Sequence, residues 1–125
     1  MELKVNKFIA QLVLFYCIQT FGKHPKKPIP KLIYSKKNDK DTYGVYSIDK
    51  NTIKIFYNRH FEPDVKNPLS EFIDTVIHEY KHYLHSTKLN KVMCKNDARQ
   101  IDLMEDEAII FGHVESKKFL KKLNK

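Results

Sequence analysis

The chain has 125 residues, of which 42% are hydrophobic, three are glycine and five are proline. This length and composition predict one globular domain over residues 1–125 and exclude a disordered chain or a two-domain protein. Lysine and arginine outnumber aspartate and glutamate by 23 to 15, which gives a formal charge of +8. The excess favours acidic partners, so weak association with nucleic acid through a basic surface is one expectation.

The cysteines and the first apolar run bear on localisation. Cys17 and Cys94 are far apart and form no C-x-x-C pair, which favours free thiols in a reducing compartment. The run "FIAQLVLFYCI" is too short to span a bilayer, and no small-residue cleavage site follows it. We therefore expect a buried first helix over residues 3–21, a cytoplasmic protein and no membrane partner.

The middle of the chain predicts a small sheet. The prolines of "PIPKLIYSK" cannot donate to a strand ladder, so this segment is expected to form a short strand at a sheet edge. Two β-rich runs, residues 43–48 and 52–57, flank the turn "DKN" and predict a hairpin, because apolar and polar residues alternate in the second run.

Two helices are predicted after the hairpin. Asn67 suits a cap and Pro68 a first turn, so one helix should run from about residue 68 to 86. The stretch "STKLNKVMCKN" is interpreted as a polar connection. Asp97, with Gln100 three residues later, resembles a capping box and starts a last helix, weakened at Gly112. The order of elements predicts an α+β domain.

An H-E-x-x-H sequence, "HEYKH", lies within the first of these two helices. His78 and His82 are four residues apart, about 6 Å along a helix and on one face, so both can reach one ion. Zinc accepts nitrogen ligands and keeps a position for water in catalytic sites. The sequence therefore predicts Zn²⁺ bound by His78 and His82, with Glu79 as the general base that takes the proton of that water.

A third ligand is expected from the last helix, "DLMEDEAIIFGHVE". Glu107 has apolar residues one turn before and after it, and a carboxylate in an apolar stripe is costly to bury without a cation. Glu107 is therefore the preferred ligand, with Glu105, Asp106 and His113 as alternatives. His85 would lie about 10 Å along the helix from the first histidine of the motif, too far to share its ion.

At these residues the chain resembles a zincin of the gluzincin type, and in particular the small ImmA/IrrE-like and SprT-like metallopeptidases. The segment "TVIHEYKHYLH" is similar to their active-site helix, and the ImmA/IrrE pattern E-A-x-x-F-[AG] falls on Glu107, Ala108, Phe111 and Gly112. SprT-like proteins usually supply a third histidine, which is absent at this place. The resemblance implies a zincin-like fold: an N-terminal helix, a small and mostly antiparallel sheet, the H-E-x-x-H helix and a C-terminal helix with the third ligand.

The resemblance also implies a zinc-dependent peptidase that binds a peptide or protein substrate along an edge strand, with residues 43–48 as the candidate. Asp74 and Asp102 are alternatives for orienting a ligand. The candidates for stabilising the reacting carbonyl oxygen are Tyr43, Tyr83, His60 and His85. The alternative function is a zincin-shaped basic protein that binds nucleic acid or a protein, with structural or vestigial zinc.

Overall fold

A computed structural model describes residues 6–36 and 42–123. Over these ranges the protein is an α+β domain, as predicted. It has a three-stranded sheet and four α-helices, one helix more than the sequence predicted. The elements are α1 (Lys7–Phe21), β1 (Lys31–Ser35), β2 (Gly44–Ser47), β3 (Thr52–Phe56), a 3-10 helix (Tyr57–Phe61), α2 (Pro68–Leu84), α3 (Ser86–Cys94) and α4 (Ala98–Leu123). The predicted helix start at residues 3–5, and most of the polar turn "KKNDKDT", lie outside the described residues. Within the described part, no helix has the length and apolar character needed to cross a membrane.

Helix α2 is the centre of the domain. It begins where the sequence predicts, because Asn67 Oδ1 accepts the backbone N–H of Ser70 at 3.2 Å and Pro68 occupies the first turn. Residues 72–77 are all buried. Helix α1, the sheet and α4 each pack against α2, so one core forms around it and fixes the orientation of its histidines.

The sheet has the strand order β1-β3-β2 and is mixed. Strands β2 and β3 form the predicted antiparallel hairpin, with Tyr46 opposite Ile53. Strand β1 runs parallel to β3, so the expectation of a mostly antiparallel sheet holds for only one of the two strand pairs. Phe56 N–H donates to Tyr43 O at 2.9 Å, which places Gly44 and Tyr46 at the alternate positions whose backbone groups face the outer edge of β2.

The segment after α2 differs from the prediction. Helix α2 ends at Leu84, and the stretch interpreted as a polar connection is the separate helix α3. The many lysines and asparagines made this stretch resemble a loop, although it is an amphipathic helix in which Leu89 and Ser86 are buried and the lysines and asparagines face solvent. Helix α3 therefore adds a wall beside the second half of α2.

Helix α4 runs antiparallel to α2 and continues without a break through Gly112. Its start follows the predicted cap, since Asp97 Oδ1 accepts the N–H of Gln100 at 3.2 Å. Gly112 is buried against Asp74, and a Cβ atom there would collide with the Asp74 carboxylate. The glycine thus permits a close approach of the two helices and does not weaken α4.

Candidate metal centre

The two histidines of the motif converge on one carboxylate. His78 and His82 lie one turn apart on α2, with ring centroids 4.9 Å apart. His78 Nε2 is 2.8 Å from Glu105 Oε1, and His82 Nε2 is 2.9 Å from Glu105 Oε2. A single side chain of α4 therefore bridges both imidazoles.

Glu79 is buried beside this bridge, with an exposed fraction of only 5%. One candidate ligand atom from each of His78, Glu79 and His82 lies within 4.8 Å of the others. Burial raises the pKa of Glu79 more than the nearby imidazoles and the backbone amide of Tyr46 lower it. We call His78, Glu79, His82 and Glu105 the histidine–glutamate cluster.

Opposite charges within the cluster stabilise each other, while the carboxylates of Glu79 and Glu105 repel each other. Burial lowers the pKa of His78, but the hydrogen bond to Glu105 and the charges of Glu79 and Glu105 outweigh it, so this pKa lies above its ordinary value. Hydrogen bonds from His78 and His82 hold the pKa of Glu105 well below its usual range. The carboxylate thus favours positive charge between the imidazoles, the position that a divalent cation would take.

The structure does not bring Glu107 to the histidines. It lies on the exposed face of α4, in a shallow cavity that also contains Lys81, Ile110 and Val114. The apolar stripe that motivated the choice of Glu107 faces solvent, with Ile110 63% and Val114 47% exposed. Glu105, an alternative from the sequence, takes the position beside the imidazoles, and we replace Glu107 by Glu105 in the candidate ligand set.

The donor chemistry of the cluster fits zinc. Two imidazole nitrogens and one carboxylate are a ligand set of catalytic zinc sites. Zinc bonds of about 2.0–2.2 Å in a tetrahedral arrangement separate the ligand atoms by about 3.3 Å. The Glu105 oxygens, at 2.8 and 2.9 Å from the nitrogens, would have to retreat only slightly, and this side chain is about half exposed and can do so.

Two cavities open on the cluster, and His78, Glu79 and Glu105 line both. The larger, about 400 Å³, we call the polar cavity; its other walls include Thr42, Tyr43, Glu71, Asp74 and His113. The smaller, about 260 Å³, we call the apolar cavity; its other walls include Val45, Tyr46, Leu89, Met93 and Ile101. A molecule in either cavity would lie against Glu79.

The structure shows which of the side chains predicted to stabilise the reacting carbonyl oxygen lie near the cluster. Of the four side chains considered for the reacting carbonyl oxygen, only Tyr43 lines a cavity beside the cluster. Tyr83 and His60 are fully buried and hydrogen-bonded within the core, since Tyr83 Oη donates to Lys27 O at 3.2 Å and His60 contacts Phe56 O. His85 is exposed where α2 ends.

Asp74 makes a close side-chain contact with His113 that the sequence did not predict. Asp74 Oδ2 is 2.5 Å from His113 Nδ1, and both residues line the polar cavity. Asp102, the other candidate for orienting a ligand, is exposed. The spacing of eight residues between Glu105 and His113 is the signal that places both on one side of α4.

Comparisons with protein-family models, with curated proteins and with solved structures found no match. The roles proposed for residues of this chain therefore rest on the motif and on the geometry of the cluster.

Proposed function

We propose that the protein is a zinc-dependent peptidase with a zincin-like active site. One observation carries the proposal: both Nε2 atoms of the H-E-x-x-H motif face a carboxylate of the neighbouring helix, and the motif's own glutamate is buried beside them. His78, His82 and Glu105 would hold the ion. Bound zinc would polarise a peptide carbonyl and make a water molecule more acidic.

Glu79 is the group that moves the proton. It accepts a proton from the attacking water and returns it to the amine that leaves. Burial raises the pKa of Glu79, which makes its carboxylate a better base near neutral pH than an exposed glutamate. The amide of Tyr46 helps to fix the carboxylate at the end of the two cavities.

The outer edge of β2 supports a peptide substrate. Gly44 directs its N–H and C=O towards this edge and Tyr46 its C=O, while the Tyr46 N–H contacts Glu79. Both residues line a cavity of the cluster. An extended peptide can add to such an edge through main-chain hydrogen bonds, which are largely independent of its sequence. This mode would lay a peptide carbonyl across the cluster.

The function is tested by comparing Glu79→Gln with wild type on a pool of synthetic peptides, with products read by mass spectrometry and zinc by elemental analysis. We expect Glu79→Gln to keep its zinc and to lose about 10²–10⁴-fold in cleavage rate, the usual contribution of a general base. Glu107→Gln is the matched control, because it removes an exposed carboxylate outside both cavities.

Equal cleavage by Glu79→Gln and wild type would contradict the proposal. Stoichiometric zinc with no cleavage of any peptide by wild type would instead favour the alternative of a basic binding protein. In that case nucleic-acid binding, measured at increasing salt, should weaken steeply.

A further inference from the structure

The apolar cavity is built by three elements around one end of the cluster. Strand β2 contributes Val45 and Tyr46, α3 contributes Leu89 and Met93, and α4 contributes Ile101. None of the described lining residues outside the cluster carries a charge, although the chain has 23 lysines and arginines. Apart from the cluster itself, the lining of this cavity is therefore uncharged on a strongly basic protein.

The mouth of this cavity exposes apolar side chains to water. Met93 is 53% and Val45 is 43% exposed, whereas Leu89, at 8%, closes the base. Exposed apolar surface is stabilised when another apolar group covers it. Methionine has a flexible, polarisable side chain that adapts to differently shaped apolar partners.

The position of β2 determines what can cover this mouth. Val45 lies between the two residues whose backbone groups face the free edge of the strand. A peptide that adds to this edge presents alternate side chains to one face of the sheet. The side chain beside Tyr46 lies on the face that packs against α2, and it therefore falls over the recess. The polar cavity, with Glu71 and Asp74 in its walls, would not favour the same kind of side chain.

We infer that the apolar cavity is a specificity subsite that binds one bulky uncharged side chain of the substrate, next to the bond that is cleaved. The inference rests on the proposed peptidase function and adds the substrate class to it. Met93 and Ile101 set the size of the subsite, since they are bulky side chains that α3 and α4 contribute to its lining.

The first experiment measures cleavage of synthetic peptides that differ at one central residue. We expect wild type to cleave peptides with leucine, phenylalanine or methionine at least about 10-fold faster than those with aspartate or lysine, as hydrophobic pockets discriminate. Met93→Lys should lower cleavage at the apolar residues and raise it at aspartate and glutamate. Leu103→Lys is the matched control, because Leu103 is 47% exposed on α4 and lines neither cavity.

The second experiment measures binding without cleavage, in the Glu79→Gln background that should bind peptides but not cleave them. The chain has three methionines, so selective ¹³C labelling of their methyl groups gives few NMR signals, and a Met93→Leu variant identifies that of Met93. We expect acetyl-Ala-Leu-Ala-amide to shift the Met93 signal and acetyl-Ala-Lys-Ala-amide to leave it unchanged. The buried Met104 is an internal control that neither peptide should affect.

The two readouts separate failure of the subsite from failure of the proposed function. A shift of Met93 by the leucine peptide alone supports the subsite even if wild type cleaves nothing, and in that case the peptidase proposal fails. Cleavage with equal rates at leucine and lysine, or equal responses of Met93 to both peptides, overturns the subsite while leaving the peptidase intact. An unchanged Met93 signal with both peptides also overturns it.

Discussion

Histidines on the two sides of helix α2 lie in opposite electrostatic environments: His60 belongs to the 3-10 helix that packs on one side, and His78 and His82 belong to α2 itself and face the other. On the side of the sheet, His60 is fully buried, 2.8 Å from Phe56 O and 3.0 Å from Thr75 Oγ1. On the side of α4, His78 and His82 contact the Glu105 carboxylate. The partners of His60 are neutral, whereas the partner of His78 and His82 carries a negative charge.

This difference has opposite consequences for the two imidazole environments. Burial lowers the pKa of His60, because its hydrogen bonds to neutral partners do not compensate for the loss of solvent. The pKa of His78 is raised, because Glu105 and Glu79 outweigh burial. Burial alone therefore does not identify a functional histidine; the charge of its partner distinguishes a packed ring from one that can share a cation.

The largest expected effect is on zinc affinity, and it distinguishes Glu105 from Glu107 as the candidate ligand. We expect Glu105→Ala to weaken zinc binding by more than the 10–100-fold that loss of an outer-shell partner costs, because a candidate ligand is removed. Glu107→Ala, which truncates an exposed carboxylate two residues away, should leave zinc affinity unchanged. Isothermal titration of the metal-free proteins measures both. The reverse order of effects would restore the ligand chosen from the sequence.

The next largest effect is a loss of stability that tests the close packing of α4 against α2. A Cβ at position 112 would be 3.2 Å from the backbone O of Asp74 and inside contact distance of its carboxylate. Overpacking should lower the free energy of unfolding of Gly112→Ala by about 1–3 kcal/mol. The higher helix propensity of alanine should restore about 1 kcal/mol of this loss. We therefore expect a net loss of up to about 2 kcal/mol.

Asp74→Ala provides the control for this contact. The cost of Gly112→Ala should be smaller when Asp74 is already alanine, since the colliding carboxylate is gone. Urea unfolding of the four proteins in this cycle gives the coupling energy. Additive costs would show that the carboxylate does not limit the helix spacing.

The sheet side offers a similar substitution at Gly44. A Cβ there would be 2.8 Å from Thr75 Cγ2 and 3.1 Å from Lys54 O, so Gly44→Ala should also destabilise the fold, by about 1–2 kcal/mol. Unlike Gly112→Ala, this substitution would displace Thr75, whose hydroxyl contacts His60. Urea unfolding measures the loss, with Val45→Ala on the same strand as the exposed control. Equal stability of Gly44→Ala and wild type would contradict the close contact.

The smallest expected effect is the pH dependence that His60 gives to stability. Since the folded-state pKa is lowered, the unfolded chain binds the extra proton first. The stabilisation is present above the ordinary histidine value of about 6.5 and is lost as the pH falls through it towards the folded pKa.

Urea unfolding of metal-free wild type and His60→Gln between about pH 7.5 and about pH 5.5, the range of histidine titration, tests this. Wild type should lose more stability than the variant on acidification, because glutamine retains a donor and an acceptor but does not titrate. The other histidines titrate in both proteins, so the difference reports His60. Parallel stability curves would contradict the assignment.

The sequence predicted those features that depend on local signals. The cap at Asn67, the hairpin and the spacing of His78 and His82 were all recognisable, because each depends on residues within a few positions of one another. Helix α3 was missed since its composition is polar, although its pattern is helical. The parallel pairing of β1 was missed because strand order is decided by long-range packing.

The carboxylate of α4 that contacts His78 and His82 was harder to predict, because α4 has two candidate faces. Bulky apolar residues mark the face of Glu107, which is exposed. The face that meets α2 carries small buried residues at intervals of four, Ala108, Gly112 and Ser116. Small residues allow two helices to approach closely, so this spacing was the informative signal, and it places Glu105 one turn before Ala108 on the same side.

The Glu105 side chain is about half exposed, against 18% and 11% for those of His78 and His82. Under the proposed function, this difference predicts how a zinc ion would exchange. Rotation of one surface side chain would open the site, whereas the imidazoles stay fixed by α2. A chelator should therefore strip the folded protein, and added salt of the metal should reload it, without unfolding and refolding of the chain.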